Sequence, residues 1–381
     1  MAGEVRYIDI NKHHRNDWFE DFYRRKYKSN MNHAIDSTIK LIQSLLPEDL
    51  FGMVAFDDDV IKVQDIAHID SENQSRIISK VMNISPGGCT NISQALQMAR
   101  DMITPEHIEK YNCKIILLSD GLANDGITSA DQFASLTLKY LQAGITVSSL
   151  GIGYDYDSEI MNAIATGGGG LFYHVEDLEK LNSIFMEELR LSNSIRAKNV
   201  KLILEIPDLI EVSDNMNDYK QSVKNRIIEV FIGDMVSSRK IYFEIKNNFV
   251  DKDVSFNIKV IYKSQEGEEC SVSVIKTLKV VHSKEELEKY PKNEEVIKHV
   301  LDLIKYRTFR ETSYLYEKGC KDEVEKAFAN SIQYTTVLST SYGIVRETLS
   351  SLESLNTAYS TESISREFAK NIYADSNRRM R

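Results

Sequence analysis

Two stretches of this chain bring oxygen-bearing side chains to the ends of apolar or glycine-rich runs. Asn83-Ile-Ser-Pro-Gly-Gly-Cys-Thr-Asn-Ile-Ser93 is a glycine-rich turn that delivers Thr90 to the start of a helical pattern. Lys114-Ile-Ile-Leu-Leu-Ser-Asp-Gly121 is an apolar run that stops at Asp120 and a glycine. A hydroxyl and a carboxylate are hard oxygen donors, suited to magnesium, calcium or manganese. A buried parallel strand reads as a near-continuous apolar run, and open α/β sheets gather ligands at the carboxyl ends of such strands. Thr90 and Asp120 are therefore expected at one rim of one sheet. Each also has an ordinary structural use, Thr90 as a helix N-cap and Asp120 as a turn residue before glycine.

The elements that must position them alternate in type. Ala34, Ile35, Thr38, Ile39, Leu41, Ile42, Leu45 and Leu46 recur at helical spacing until Pro47 stops the run. Phe51–Phe56 reads as a buried strand ending in Asp57-Asp-Asp59, a solvated strand end. Helices are expected over 71–84, 91–103, 130–142, 158–165 and 178–191, and strands over 114–119, 145–153 and 171–175. Gly144 serves as a helix cap. Gly167 to Gly170 lacks the lysine and spacing of a phosphate loop and reads as a flexible turn. His174 reads as packing or surface, and Cys89 as a small filler beside the rim. Strands alternating with helices give a parallel sheet covered on both faces. The fold class is thus α/β, a Rossmann-like doubly wound parallel sheet over 31–192.

These segments resemble a von Willebrand factor type A (VWA) domain. The resemblance is carried by Phe51-Gly-Met-Val-Ala-Phe-Asp-Asp58, Gly87-Gly-Cys-Thr-Asn-Ile92, Leu117-Leu-Ser-Asp-Gly121 and Val147-Ser-Ser-Leu-Gly-Ile-Gly153, in matching order. It implies a metal-ion-dependent adhesion site (MIDAS), in which Thr90 and Asp120 would be metal ligands, and it implies protein binding at that rim. The family's Asp-x-Ser-x-Ser segment has no counterpart before the helix at Ala34. Lys26-Tyr-Lys-Ser-Asn-Met31 stands there instead, and lysine has no acceptor to offer a metal. Asp9-Ile-Asn-Lys-His13, at the end of a possible strand over Val5–Ile10, is the alternative. The resemblance therefore implies an incomplete site that holds Mg2+ or Mn2+ weakly through Thr90 and Asp120, with water as the other ligands.

Around this domain the composition changes. Residues 1–30 are aromatic and charged without a clear period. From 195 to 283, alternating segments predict an antiparallel β-sandwich, with Lys263–Glu269 as a hairpin tip. From 284 to 381 helical patterns dominate; Ser283 opens a capping box, and the basic end Asn377–Arg381 reads as a solvated terminus. The aromatic side chains Tyr306, Phe309, Tyr314, Tyr316 and Phe328 read as helix packing.

Length and charge bound the function. A chain of 381 residues exceeds one ordinary core. A net charge of -10 argues against nucleic acid or an anionic membrane as the main partner. Cys89, Cys113, Cys270 and Cys320 lack zinc spacing and read as reduced thiols, and no apolar run is long enough to span a bilayer, so a cytoplasmic location is expected. No GxSxG, HExxH or phosphate loop is present. A non-enzymatic protein-interaction module is the first expectation. A metal-independent scaffold stands second, and a hydrolase using the α/β rim third.

Overall fold

The computed structural model describes residues 32–57, 59–70, 72–84, 90–208, 210–213, 215–247, 251–290, 293–342, 346–361 and 363–381. The readings made on residues 1–31 and on 85–89, Cys89 among them, lie outside these. The chain separates between Ile195 and Arg196 into two compact units. No helix among the described residues is long and apolar enough to cross a membrane.

Among the described residues, the first element of the first unit is helix α1 over 32–44. A hairpin follows, β1 (Leu50–Phe56) and β2 (Val60–His68), paired antiparallel. Its turn is closed by Asp57 N–H donating to the Asp59 carbonyl at 3.0 Å and Asp59 N–H donating to Asp57 Oδ1 at 2.9 Å. The aspartates thus make a hairpin turn, and β2 is a strand that the sequence reading did not expect. Next come α2 (Gln74–Met82), α3 (Ile92–Met102) and the short α4 (Pro105–Lys110). Then β3 (Cys113–Ser119), α5 (Ala130–Gln142), β4 (Ile145–Ile152), α6 (Ser158–Gly167), β5 (Gly169–Val175) and α7 (Leu181–Asn193) alternate.

Strands β3, β4 and β5 form a three-stranded parallel sheet in that order. All eight residues of β4 are buried, as expected of a central parallel strand. One face, carrying Ile116, Leu118, Leu150, Ile152, Tyr173 and Val175, packs with Leu181 and Phe185 of α7 and Ala34 and Leu41 of α1. The opposite edge of α1 presents Ile35, Ile39 and Ile42 to a second cluster with Phe51 and Met53 of β1 and Ile77 and Val81 of α2. One helix therefore serves both strand systems, which the 3.6-residue period allows only because apolar residues occupy more than one stripe.

Gly167 to Gly170 is tightly packed, contrary to a flexible turn. A Cβ on Gly167 would lie 2.3 Å from the Ala134 carbonyl, and one on Gly170 would lie 2.2 Å from the Val147 carbonyl. The run lets α6 close on α5 and lets β5 start against β4.

The second unit holds a five-stranded antiparallel sheet in the order β12-β11-β6-β9-β8. Its strands are β6 (Ala197–Glu205), β8 (Lys220–Lys224), β9 (Ile227–Met235), β11 (Val254–Lys263) and β12 (Glu269–Leu278). A two-stranded sheet of β7 (Ile210–Val212) and β10 (Ile245–Asn247) accompanies it. Ile210 shares a core with Val200, Leu204, Ile228, Val230 and Phe256, so the two sheets make a lopsided sandwich. Most of the strand expected over 238–246 is irregular, and only Ile245–Asn247 pairs.

Helices α8 (Lys284–Leu287), α9 (Glu294–Glu317), α10 (Lys321–Tyr342), α11 (Arg346–Ser360) and α12 (Arg366–Met380) complete this unit. Phe328, Val324, Leu352, Tyr359 and Ala369 form their core. The basic end is docked on the β region instead of being solvated. Asn217 donates to the Met380 carbonyl at 3.1 Å, and the Tyr219 hydroxyl donates to the Arg381 carbonyl at 2.7 Å. Asp218, in the same turn, pairs with Arg310 of α9.

Candidate functional site

Strand β3 ends at Ser119, which is fully buried. The Ser119 hydroxyl accepts from Gly121 N–H at 3.4 Å and lies 3.3 Å from the Gly121 carbonyl, so the chain turns at once around Asp120. Asp120 is partly exposed. The loop that follows is joined to the start of α3 by three hydrogen bonds. Thr90 N–H donates to Asn124 Oδ1 at 2.8 Å, Asn91 Nδ2 to Asp125 Oδ2 at 2.7 Å, and Ile127 N–H to Ser93 Oγ at 3.2 Å. The segment that carries Thr90 and the loop that begins at Asp120 thus belong to one rim, at the carboxyl end of β3.

Gly126 makes this contact possible. It has φ of +70°, and a Cβ there would stand 2.3 Å from Ser93 Oγ and 2.8 Å from Asn91 Oδ1. Only glycine takes that conformation without strain and leaves room for both side chains.

Thr90 does not cap α3. That role falls to Asn91, whose Oδ1 accepts from Gln94 N–H at 2.9 Å and from the Ser93 hydroxyl at 2.9 Å. The Thr90 side chain is 0% exposed, and its hydroxyl has no hydrogen-bond partner among the described residues. A buried hydroxyl in that state costs roughly 1–3 kcal/mol, so it calls for an explanation beyond helix capping. Asn91, Ser93, Asn124 and Asp125 were missed in the sequence reading. Their signal was the Asn124-Asp-Gly126 turn beside an asparagine and a serine at a helix start.

A second polar contact sits along the same strand ends. Ser119, Gly151 and His174 are in register across β3, β4 and β5. The Tyr156 hydroxyl lies 2.6 Å from His174 Nδ1, and a Cβ on Gly151 would be 2.4 Å from the Tyr156 ring. His174 is therefore held by a tyrosine laid over a glycine. A glycine inside a strand was the available clue to that close approach.

Around the rim, no group of three or more His, Cys, Asp or Glu side chains suited to a metal occurs among the described residues. The oxygens of Asn91, Asn124 and Asp125 are engaged in hydrogen bonds within the loop. The Thr90 hydroxyl, by contrast, has no hydrogen-bond partner among the described residues, and the Asp120 carboxylate stands at the start of the same loop.

Comparison with known proteins agrees with this architecture. The sequence profile of the von Willebrand factor type A domain matches residues 27–187. The Escherichia coli (strain K12) protein YfbK is 26% identical over 173 residues, a match covering 45% of this chain and 30% of YfbK. The chain thus spans less than a third of that relative's length. Among solved structures, a von Willebrand factor type A protein from Catenulispora acidiphila superposes with a TM-score of 0.69 at 15% identity, covering 92% of this chain and 86% of that one. The ArnB paralog VWA2 from Sulfolobus acidocaldarius does so with a TM-score of 0.56 at 18% identity, covering 91% and 83%. With the profile match, the parallel sheet and the order of its elements all in agreement, this chain carries a von Willebrand factor type A domain, matched over residues 27–187 within its first unit.

Proposed function

We propose that this chain is a non-enzymatic protein-interaction module that engages its partner through the rim built by Thr90, Asp120 and the 121–127 loop. VWA domains are in general interaction modules, which supports the class of function. The observation that carries the assignment to this rim is the fully buried Thr90 hydroxyl with no hydrogen-bond partner among the described residues, on a segment stitched to the loop beginning at Asp120. A hydroxyl and a carboxylate fit a hard, hydrated divalent ion. Mg2+ or Mn2+ held by these two oxygens, with water as its remaining ligands, would bind weakly. The rim residues position the ion and the partner, and no covalent chemistry is assigned to them. A reducing, cytoplasmic setting is part of this reading, and the Cys270 and Cys320 thiols, which form no disulfide among the described residues, fit it.

Calorimetric titration of the intact chain with MgCl2 and with MnCl2 tests the metal part. Binding in the millimolar range is expected, lost in Asp120→Ala and weakened about tenfold or more in Thr90→Val, which keeps the shape and removes the oxygen. A folded wild type that gives no heat at tens of millimolar ion would leave the rim as a metal-independent scaffold surface.

A further inference from the structure

The two edges of the five-stranded sheet are built differently. Strand β8, at one edge, has five residues and carries Lys220 and Lys224 at its ends. Short length and lysine are the usual guards of an exposed edge. Strand β12, at the other edge, has ten residues and pairs with β11 without a bulge from Glu269 to Leu278. From Cys270 to Ile275 it carries no charge. Val272 is 61%, Val274 44% and Ile275 69% exposed. Among the described residues no strand pairs with its outer edge. A long, unbulged edge that carries exposed apolar side chains is a template for another strand.

The charges at its ends say which strand. Antiparallel self-pairing must set odd positions against odd and even against even, because a one-residue slip exchanges the two faces. With Val274 opposite its own copy, Cys270 meets Leu278, Val272 meets Lys276 and Ser273 meets Ile275. In that register Glu269 of each copy meets Lys279 of the other, at both ends of the ladder. Both residues are exposed. Within its own chain Glu269 already stands opposite Lys263, so the carboxylate would lie between two bases. Moving the ladder by two residues in either direction puts Lys279 against Gly267 or Ser271 and loses both ion pairs. The register that satisfies the faces and overlaps the strand almost completely is therefore also the one that satisfies the charges.

We propose that β12 pairs antiparallel with β12 of a second copy of this chain, extending the sheet across a two-fold axis at Val274. A symmetric edge-to-edge contact is self-complementary and closes at two copies, which removes the open edge.

Sedimentation equilibrium on the intact chain tests this, with circular dichroism to verify that each variant is folded. The wild type is expected to show a concentration-dependent dimer. Glu269→Lys places lysine opposite Lys279 twice, and Lys279→Glu places glutamate opposite Glu269 twice. Each is expected to weaken the dimer roughly tenfold or more, since directly opposed like charges are destabilising and symmetry counts each pair twice. An equimolar mixture of the two variants restores both ion pairs and is expected to dimerise as the wild type does. The double variant is expected to do the same. A wild type that stays monomeric up to its solubility limit overturns the proposal. So does a dimer that ignores both charge reversals.

Discussion

At the scale of single residues, Glu188 shows what the first unit invests in one side chain. It is a fully buried carboxylate that takes the Lys114 ammonium at 2.7 Å, the Tyr173 hydroxyl at 2.7 Å and the Ser148 hydroxyl at 3.1 Å. These partners come from β3, β5 and β4, so one acid on α7 fixes all three strands against the helix. Glu188→Ala is expected to destabilise the protein by about 3–5 kcal/mol, measured by urea denaturation, because it strands Lys114 and two hydroxyls. Adding Lys114→Met should recover much of that loss, since an uncompensated charge is the larger penalty. Nothing in the sequence pointed to Glu188, because its partners lie 15 to 74 residues away and a buried glutamate looks like any other. That the Thr90 segment and the loop from Asp120 share one rim was legible, since both stand at abrupt ends of glycine-rich or apolar runs. That Asn91, and not Thr90, caps α3 was not legible. Both residue types cap helices, and the choice depends on which one takes the non-helical backbone angles.

At the scale of elements, the glycine run between α6 and β5 sets how closely layers approach. Gly170→Ala is expected to lower stability by about 1–3 kcal/mol or more, because its Cβ would overlap the Val147 carbonyl, a backbone atom of fully buried β4. Gly153→Ala is the matched control. It has φ of +70° but nothing within 4 Å of the added carbon, so only about 1–2 kcal/mol of backbone strain is expected. The midpoints of thermal unfolding of the two variants should separate accordingly. Periodicity recovered the alternating helices and the three parallel strands, because each carries one unbroken pattern. It missed β2, whose Val60-Ile-Lys-Val-Gln-Asp-Ile-Ala-His68 mixes short apolar pairs with charges and buries only Gln64. It also gave too much strand to 238–246, where the backbone bonds irregularly to Ser213 and Met216.

At the scale of the whole molecule, each unit has its own core and its own response to solution conditions. In the second unit, burial pushes the Tyr359 phenol up to about 12, against about 10 in an unfolded chain. The fold therefore favours the protonated ring. Its contribution is complete below about pH 10 and is lost as pH rises through about 12, because the unfolded chain releases that proton first. The urea midpoint should fall between about pH 9 and about pH 11, and Tyr359→Phe should flatten that fall. The same variant should lower the neutral-pH midpoint slightly, through the lost 2.8 Å bond to Ser313. Tyr140, also pushed up to about 12 by burial, makes the first unit sensitive in the same direction. The helical tail was legible as helices, but its docking was not. The Asn217, Asp218 and Tyr219 turn that receives it is more than 150 residues away from the end it holds. The eight residues of β4 carry a last consequence. They are bonded on both edges and covered on both faces, so their amide protons reach water only when the whole first unit opens. That strand keeps time for global opening, while the frayed ends of the helices around it trade protons with the solvent many times over.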